Sequence, residues 1–284
     1  MWDDAGIAIF NSKKATSKRE ELEALQWLEN NIEPFQTVSD KWKATTASRL
    51  ANIGRTIRSQ FERFKALKQP NGYSLIDIDF SSLHPGKESV LFNLWPTIAD
   101  KLIKLVTAAK EKSLSPLVLE LLRSASQVDA SQELKNLCAF FILPFICPVS
   151  RTLVANNISW RPSASEVQRS FILLDASQVT EANDDRRKFC QEKGLSLQPY
   201  IVLVGPNLCS ITARFVIIEN IFYKVETILK AVDVCFKSFF VFNATYQVEC
   251  EHIWLFVQRK VFEITTKYDN NFTRLEELLL KLQD

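Results

Sequence analysis

Two aspartates, Asp77 and Asp79, stand one residue apart in Leu75-Ile76-Asp77-Ile78-Asp79-Phe80. Apolar and polar residues alternate there with the period of a half-buried strand, which puts Ile76, Ile78 and Phe80 on one face and both carboxylates on the other. Two hard oxygen donors side by side suit a divalent cation such as Mg²⁺, which a metal-dependent hydrolase would use to polarise a phosphoester. Such an enzyme needs further acids or a phosphate clamp, and neither is recognisable, so the ordinary role for the pair is the wet face of an edge strand. Cys250-Glu251-His252 gathers a thiol, a carboxylate and one of the two histidines. Adjacent positions rarely converge, and a structural zinc site takes four ligands in paired spacing, so a helix start with a buried cysteine is the simpler reading. His84, in Leu83-His84-Pro85-Gly86, belongs to a turn. Val204-Gly205-Pro206-Asn207 follows a strand, as nucleotide-binding loops do, but it has one glycine and lacks Gly-Lys-Ser/Thr. The expectation is a protein without catalytic residues, cofactor or metal.

Binding chemistry has one stronger signal. Between Lys41 and Lys68 stand eight basic residues against the single acid Glu62, a local net charge of +7, so the rest of the chain carries −5 of a total of +2. At 100° per residue, Trp42, Leu50, Ile53, Ile57, Phe61, Phe64 and Leu67 cluster on one side of a helix, with Lys41, Arg55, Arg58, Arg63 and Lys65 mostly opposite. A basic amphipathic helix of this kind would bind a polyanion such as nucleic acid through Lys41, Arg55, Arg58, Arg63 and Lys65, with Trp42 stacking on a base. Its ordinary counterpart is a solvated helix face whose cations pair with the acidic remainder.

The elements that must position these groups follow from periodicity and caps. Residues 1–17 read as a flexible tail. Leu22, Leu25, Leu28 and Ile32 recur at helical spacing until Pro34, and the long basic helix is expected from about Ser39 to Leu67. Pro70-Asn71-Gly72 ends it, before the strand with the two aspartates. Helices are expected from Trp95 with Pro96 in the first turn, after Ser115-Pro116, and from Ser131 into the apolar run Leu137 to Val149. Ser150 to Arg161 reads as a polar loop. Ser163 and Glu166 have capping-box spacing. Strand, helix and strand are expected around residue 172, up to Gly194, and from Tyr200 to Val204; a tight hairpin turns at Glu219-Asn220. Two apolar helices, about 226–241 and 251–264, and an amphipathic one near 272–282 close the chain. The fold class is therefore mixed α/β, an α+β arrangement dominated by helix, with a small sheet from strands near 75, 172, 202, 216 and 223. The expected organisation is a tail (1–17), a basic helical region (18–69) and a globular part (70–284), subdivided near 150–162 and folding without residues 1–69.

Composition sets the class. With 46% hydrophobic and 24% charged residues the chain has the usage of a folded domain, and 20 Phe against 6 Gly favours helix over a turn-dense β-sandwich. The six cysteines form no CxxC pair and read as buried reduced thiols. The start, with two aspartates and no apolar centre, is unlike a signal or transit peptide, and the longest apolar run is broken by Pro144 and Pro148. Cytoplasm or nucleus is expected, with no membrane association.

Leu197 to Pro206, Phe215 to Asn220, Tyr223 to Val225, Lys230 to Lys237 and Glu249 to Gln258, together with Gly72 to Phe80, resemble the carboxy-terminal region of uncharacterised fish and arthropod proteins. Some of these are named sterile-alpha-motif-domain-containing-like. The resemblance covers most of the chain after residue 71 and brings no established activity. Such relatives are longer and carry an amino-terminal module; no sterile-alpha-motif domain is discernible in this sequence. The functional expectation is a non-enzymatic protein-interaction module, a short form of a larger protein, with an unknown protein partner. The alternatives are nucleic-acid binding through residues 41–68 and a hydrolase using Asp77 and Asp79.

Overall fold

The computed structural model describes residues 18–51, 56–109, 114–148, 152–155, 158–175 and 179–283. Four short helical segments come first: α1 (18–30), α2 (Phe35–Ala44), α3 (Thr46–Ala51) and α4 (Ile57–Arg63), with a 3₁₀ turn at Lys65–Lys68. The single long basic helix expected from sequence is thus divided. Thr45 and Thr46 turn their hydroxyls back onto the carbonyls of Lys41 and Trp42, at 2.8 and 2.9 Å, and hydroxyls bonded this way compete with the helical ladder. Thr56 then starts a new helix as an extended N-cap whose hydroxyl accepts from the Ser59 amide at 3.2 Å.

The expected strand at Leu75–Phe80 is helix α5 (Tyr73–Leu83). Its buried positions are Leu75, Ile76, Asp79 and Phe80, the i, i+1, i+4, i+5 set of a helix face. The alternation misled because one residue of the buried face is an aspartate. Helix α6 (Val90–Ala109) begins earlier than expected and carries Pro96 inside it. Helices α7 (Pro116–Ala125) and α8 (Gln132–Ile146) start at Ser115 and Ser131, whose hydroxyls cap the amides of Val118 and Leu134. The expected loop at 150–161 contains a small antiparallel pair, β1 (Leu153–Ala155) and β2 (Ile158–Trp160).

Helix α9 (Ala164–Phe171) opens on the Ser163/Glu166 capping box. Next come β3 (Ile172–Asp175), α10 (Val179–Lys193), β4 (Tyr200–Val204), β5 (Ala213–Ile218) and β6 (Ile221–Val225). The sheet order is β3-β4-β5-β6: β3 and β4 are parallel across the α10 crossover, and the other pairs are antiparallel. Helix α10 ends at Gly194, whose φ of 68° is the left-handed conformation that glycine adopts without strain. The hairpin turns at Glu219-Asn220, with Ile218 opposite Ile221.

The sheet separates two cores. Tyr200, Val202, Ile217 and Leu173 pack with Ala182 of α10 on one side. On the other, Ile201, Leu203, Val216, Ile218 and Tyr223 join the main core with α11 (Ile228–Val241), α8 and the amino-terminal helices. Aromatic rings fill it: Trp95 stacks on Phe140 at 3.8 Å and Phe236 on Phe262 at 4.1 Å, while Phe80 meets Phe236, Phe240 and Phe262 edge-on. The chain ends with α12 (Glu251–Phe256), a π-helical turn (Val257–Val261) and α13 (Thr273–Lys281). The fold is helix-dominated α+β, and no helix among the described residues is long and apolar enough to cross a membrane.

Candidate functional site

On helix α5 the two aspartates lie about 200° apart, so they diverge. Asp77 accepts from Lys230 Nζ at 2.7 Å and Lys237 Nζ at 2.9 Å; Lys237 also donates to Asp233 at 2.7 Å and to the Glu88 carbonyl at 3.0 Å. Burial pulls the Lys230 ammonium down, but Asp77 and Asp233 outweigh it and hold it above its ordinary value. Asp79 instead faces Arg49, which grips it through Nη1 at 2.5 Å and Nη2 at 2.6 Å, with Trp42 Nε1 donating at 3.1 Å and Thr46 Oγ1 at 3.2 Å. Burial raises the Asp79 carboxyl above its ordinary value, opposed by Arg49, Thr46 and Trp42. Both carboxylates tie helices together: Asp77 joins α5 to α11, and Asp79 joins α5 to α2 and α3. The described residues contain no group of three or more metal-ligating side chains.

The polyanion candidates do not share one helix face. Lys41 lies over the Trp27 ring at 5.3 Å, Arg58 pairs with Glu219 at 3.6 Å, and Arg63 pairs with Glu29 at 2.7 Å while covering the Phe64 ring. Lys65 is exposed in the 3₁₀ turn, and Arg55 lies outside the described residues. Trp42, expected to stack on a base, is buried beneath the Arg49 guanidinium at 3.6 Å.

At Cys250-Glu251-His252 the three side chains also part. The thiol of Cys250 contacts Gln247 Oε1 at 3.6 Å, and burial pushes its pKa up; the His252 ring packs against Phe272 at 5.6 Å. At Gly205 a Cβ would come within 2.4 Å of the Ser210 carbonyl, and Thr212 N–H closes the turn on the Val204 carbonyl at 2.8 Å. That glycine permits a tight strand-ending turn.

Nothing in the sequence pattern signals what the carboxy-terminal elements build. A groove of 680 Å³, a size typical of ligand pockets, opens between the end of α11, α12, the π-helical turn and the 266–270 loop. Its walls are made by local chemistry. Helix α11 ends in a Schellman motif: Asn243 takes φ 49°, its amide bonds to Phe240 O at 3.3 Å, and Ala244 N bonds to Phe239 O at 2.8 Å. This reverses the chain and lays Tyr246 beside Phe239, with ring centroids 4.8 Å apart. The π-helical turn, a feature common at functional sites, directs the buried Gln258 inward. Gln258 receives the Tyr246 hydroxyl at 2.8 Å and donates to Asp269 at 2.8 Å and the Ile264 carbonyl at 3.1 Å. Asp269 is clamped by the Thr266 amide and hydroxyl, at 3.1 and 2.5 Å, which fixes the turn that carries Tyr268.

The result is a half-open aromatic hollow with acids at its edge. Phe239, Phe240, Tyr246 and Tyr268 line it, and its charged lining residues are Glu251 and Asp269. Burial raises the Tyr246 hydroxyl well above its ordinary value, and the negative charges of Asp269 and Glu251 push the same way. Tyr268 is 79% exposed and Val248 37%, both large apolar groups left to solvent at the groove. A second hollow of 420 Å³ lies between α6, α8, the start of α9 and α13. No protein-family model matches the chain, and no curated protein or solved structure matches it either.

Proposed function

We propose that the protein is a non-enzymatic protein-interaction module and that it binds its partner in the groove between α11, α12 and the 266–270 loop. The observation that carries this reading is a preformed 680 Å³ hollow with aromatic walls, beside which the chain leaves Tyr268 and Val248 in water. Exposed aromatic and aliphatic side chains around a concave surface are the composition of an interface core. Its floor is rigid, since Gln258 is satisfied by three partners and Phe239 is held by Tyr246 and Trp254. A rigid floor loses little side-chain freedom on binding.

The test compares wild type with a Tyr268→Ser/Val248→Ser variant, each immobilised and exposed to cell extract with and without nuclease treatment. A polypeptide retained by wild type and lost from the variant, with melting temperature unchanged, is the expected result. An identical retained set on both proteins removes the reading. Retention that disappears with nuclease would transfer the function to nucleic acid and to the exposed cations around Arg58 and Lys65.

A further inference from the structure

We infer that the groove recognises a cationic side chain, lysine or arginine, presented by the partner polypeptide; this rests on the groove being the interaction surface. Charge complementarity selects the occupant. The charged side chains lining the hollow are both acids, Glu251 and Asp269, with no lysine or arginine among the described lining residues. Tyr268, 79% exposed, lines the same hollow with the part-buried rings of Tyr246 and Phe240, and a cation over an aromatic ring is attracted by its quadrupole. An anionic occupant would meet two carboxylates, and a purely apolar one would desolvate them without return.

Of two nearby cations, one is committed elsewhere and the other already lies on a ring of the groove. Arg259, which senses the Asp269 charge, is committed to Glu276 through both terminal nitrogens and does not line the hollow. Lys267 lies over the Tyr268 ring at 5.0 Å, so the chain already places an ammonium on this ring from outside the lining. The carboxylates are held in place before any ligand arrives. Thr266 and Gln258 fix Asp269, and Asn270 donates to Glu251 at 2.5 Å. Their orientation is set by the fold, so the cost of ordering falls on the visiting side chain alone.

Calorimetric titration of the full chain with three short Gly/Ser peptides tests this. One carries spaced lysines, and the others carry glutamine or glutamate at the same positions. The lysine peptide is expected to bind, more weakly as salt rises, and the glutamate peptide is not. Tyr268→Ala should weaken the lysine peptide by about two- to thirtyfold, the range of one cation–π contact. Glu251→Gln should weaken it and flatten its salt dependence. Tyr268 is 79% exposed, so that variant should keep the wild-type melting temperature. Equal affinity for the glutamine peptide would overturn the cation assignment while leaving the groove as the interaction surface. Lysine-peptide binding untouched by Tyr268→Ala, or none up to about millimolar concentration, would overturn the cation assignment, and the groove itself stands or falls on the extract comparison. Tetramethylammonium that competes at the same concentration as the peptide would overturn the polypeptide source in favour of a free small amine.

Discussion

Asp77 and Asp79 show how far a residue's role depends on what it faces. The two side chains of the Arg49–Asp79 pair are 4% and 2% exposed, so each has lost water and depends on the other. Removing one partner of such a pair leaves an uncompensated buried charge, which costs about 3–5 kcal/mol, whereas replacing both by apolar groups of similar volume is often neutral. Asp79→Leu should therefore lower the urea midpoint severely, and Arg49→Met/Asp79→Leu should recover most of the loss. Asp77 is 28% exposed, and Lys237 retains Asp233 without it. Asp77→Asn is expected to cost only about 1 kcal/mol. Equal losses for the Asp77 and Asp79 variants would contradict this division of roles.

His84 supplies a pH dependence at the same scale. Its ring lies against Phe80 and Phe240, each 5.0 Å away, and burial, with Lys87 adding, lowers its pKa below the ordinary 6.5. A base with a lowered folded pKa binds fewer protons folded than unfolded. Its stability contribution is full above 6.5 and is lost as pH falls through 6.5 toward the folded value. Chemical denaturation between about pH 7.5 and 5 should show wild type losing more stability than His84→Gln; parallel curves would mean that the ring is not shielded.

Among the elements, the reversal at the end of α11 decides whether the groove exists. Asn243 occupies the left-handed position at φ 49°, where glycine and asparagine are tolerated and β-branched residues are strained. Asn243→Gly should stay within about 0.5 kcal/mol of wild type, whereas Asn243→Val should cost about 1–2 kcal/mol by urea denaturation. If Asn243→Val is neutral, the Schellman geometry is not what fixes this wall. The basic region illustrates the same scale from the other side: its cations belong to several short elements because Thr45, Thr46 and Thr56 interrupt the ladder.

At the scale of the whole molecule, one core crosses the boundary at residue 70. Phe61 packs on Phe242 at 5.5 Å, the Tyr223 hydroxyl donates to the Leu67 carbonyl, and Leu28, Val38, Trp42 and Phe64 belong to the same buried cluster as α8 and α11. The cluster also continues across 150–162, joining Leu143 to Val167 and Phe171. A chain beginning at Pro70 would expose Tyr223 and Phe242 and leave Asp79 without Arg49. It is expected to lose the cooperative thermal transition, and a sharp transition near the full-length melting temperature would make the amino-terminal helices an appendage.

The sequence by itself determined features whose causes are local. Serine caps at Ser115, Ser131 and Ser163, the stop at Gly194, the hairpin at Glu219-Asn220 and the helix-dominated class with strands at 172, 202, 216 and 223 all depend on residues within a turn or two of one another. Tertiary structure decided the rest. Asp79 belongs to a helix because Arg49, thirty positions away, makes its burial tolerable, and period counting takes a buried aspartate for an exposed one. The aromatic hollow was illegible for a related reason. Its walls come from four segments between Phe239 and Asn270 that meet only after a left-handed reversal and a π-helical turn, and neither leaves a periodic mark in the sequence. Local propensity names elements; which charges are buried and which rings converge is set by long-range packing.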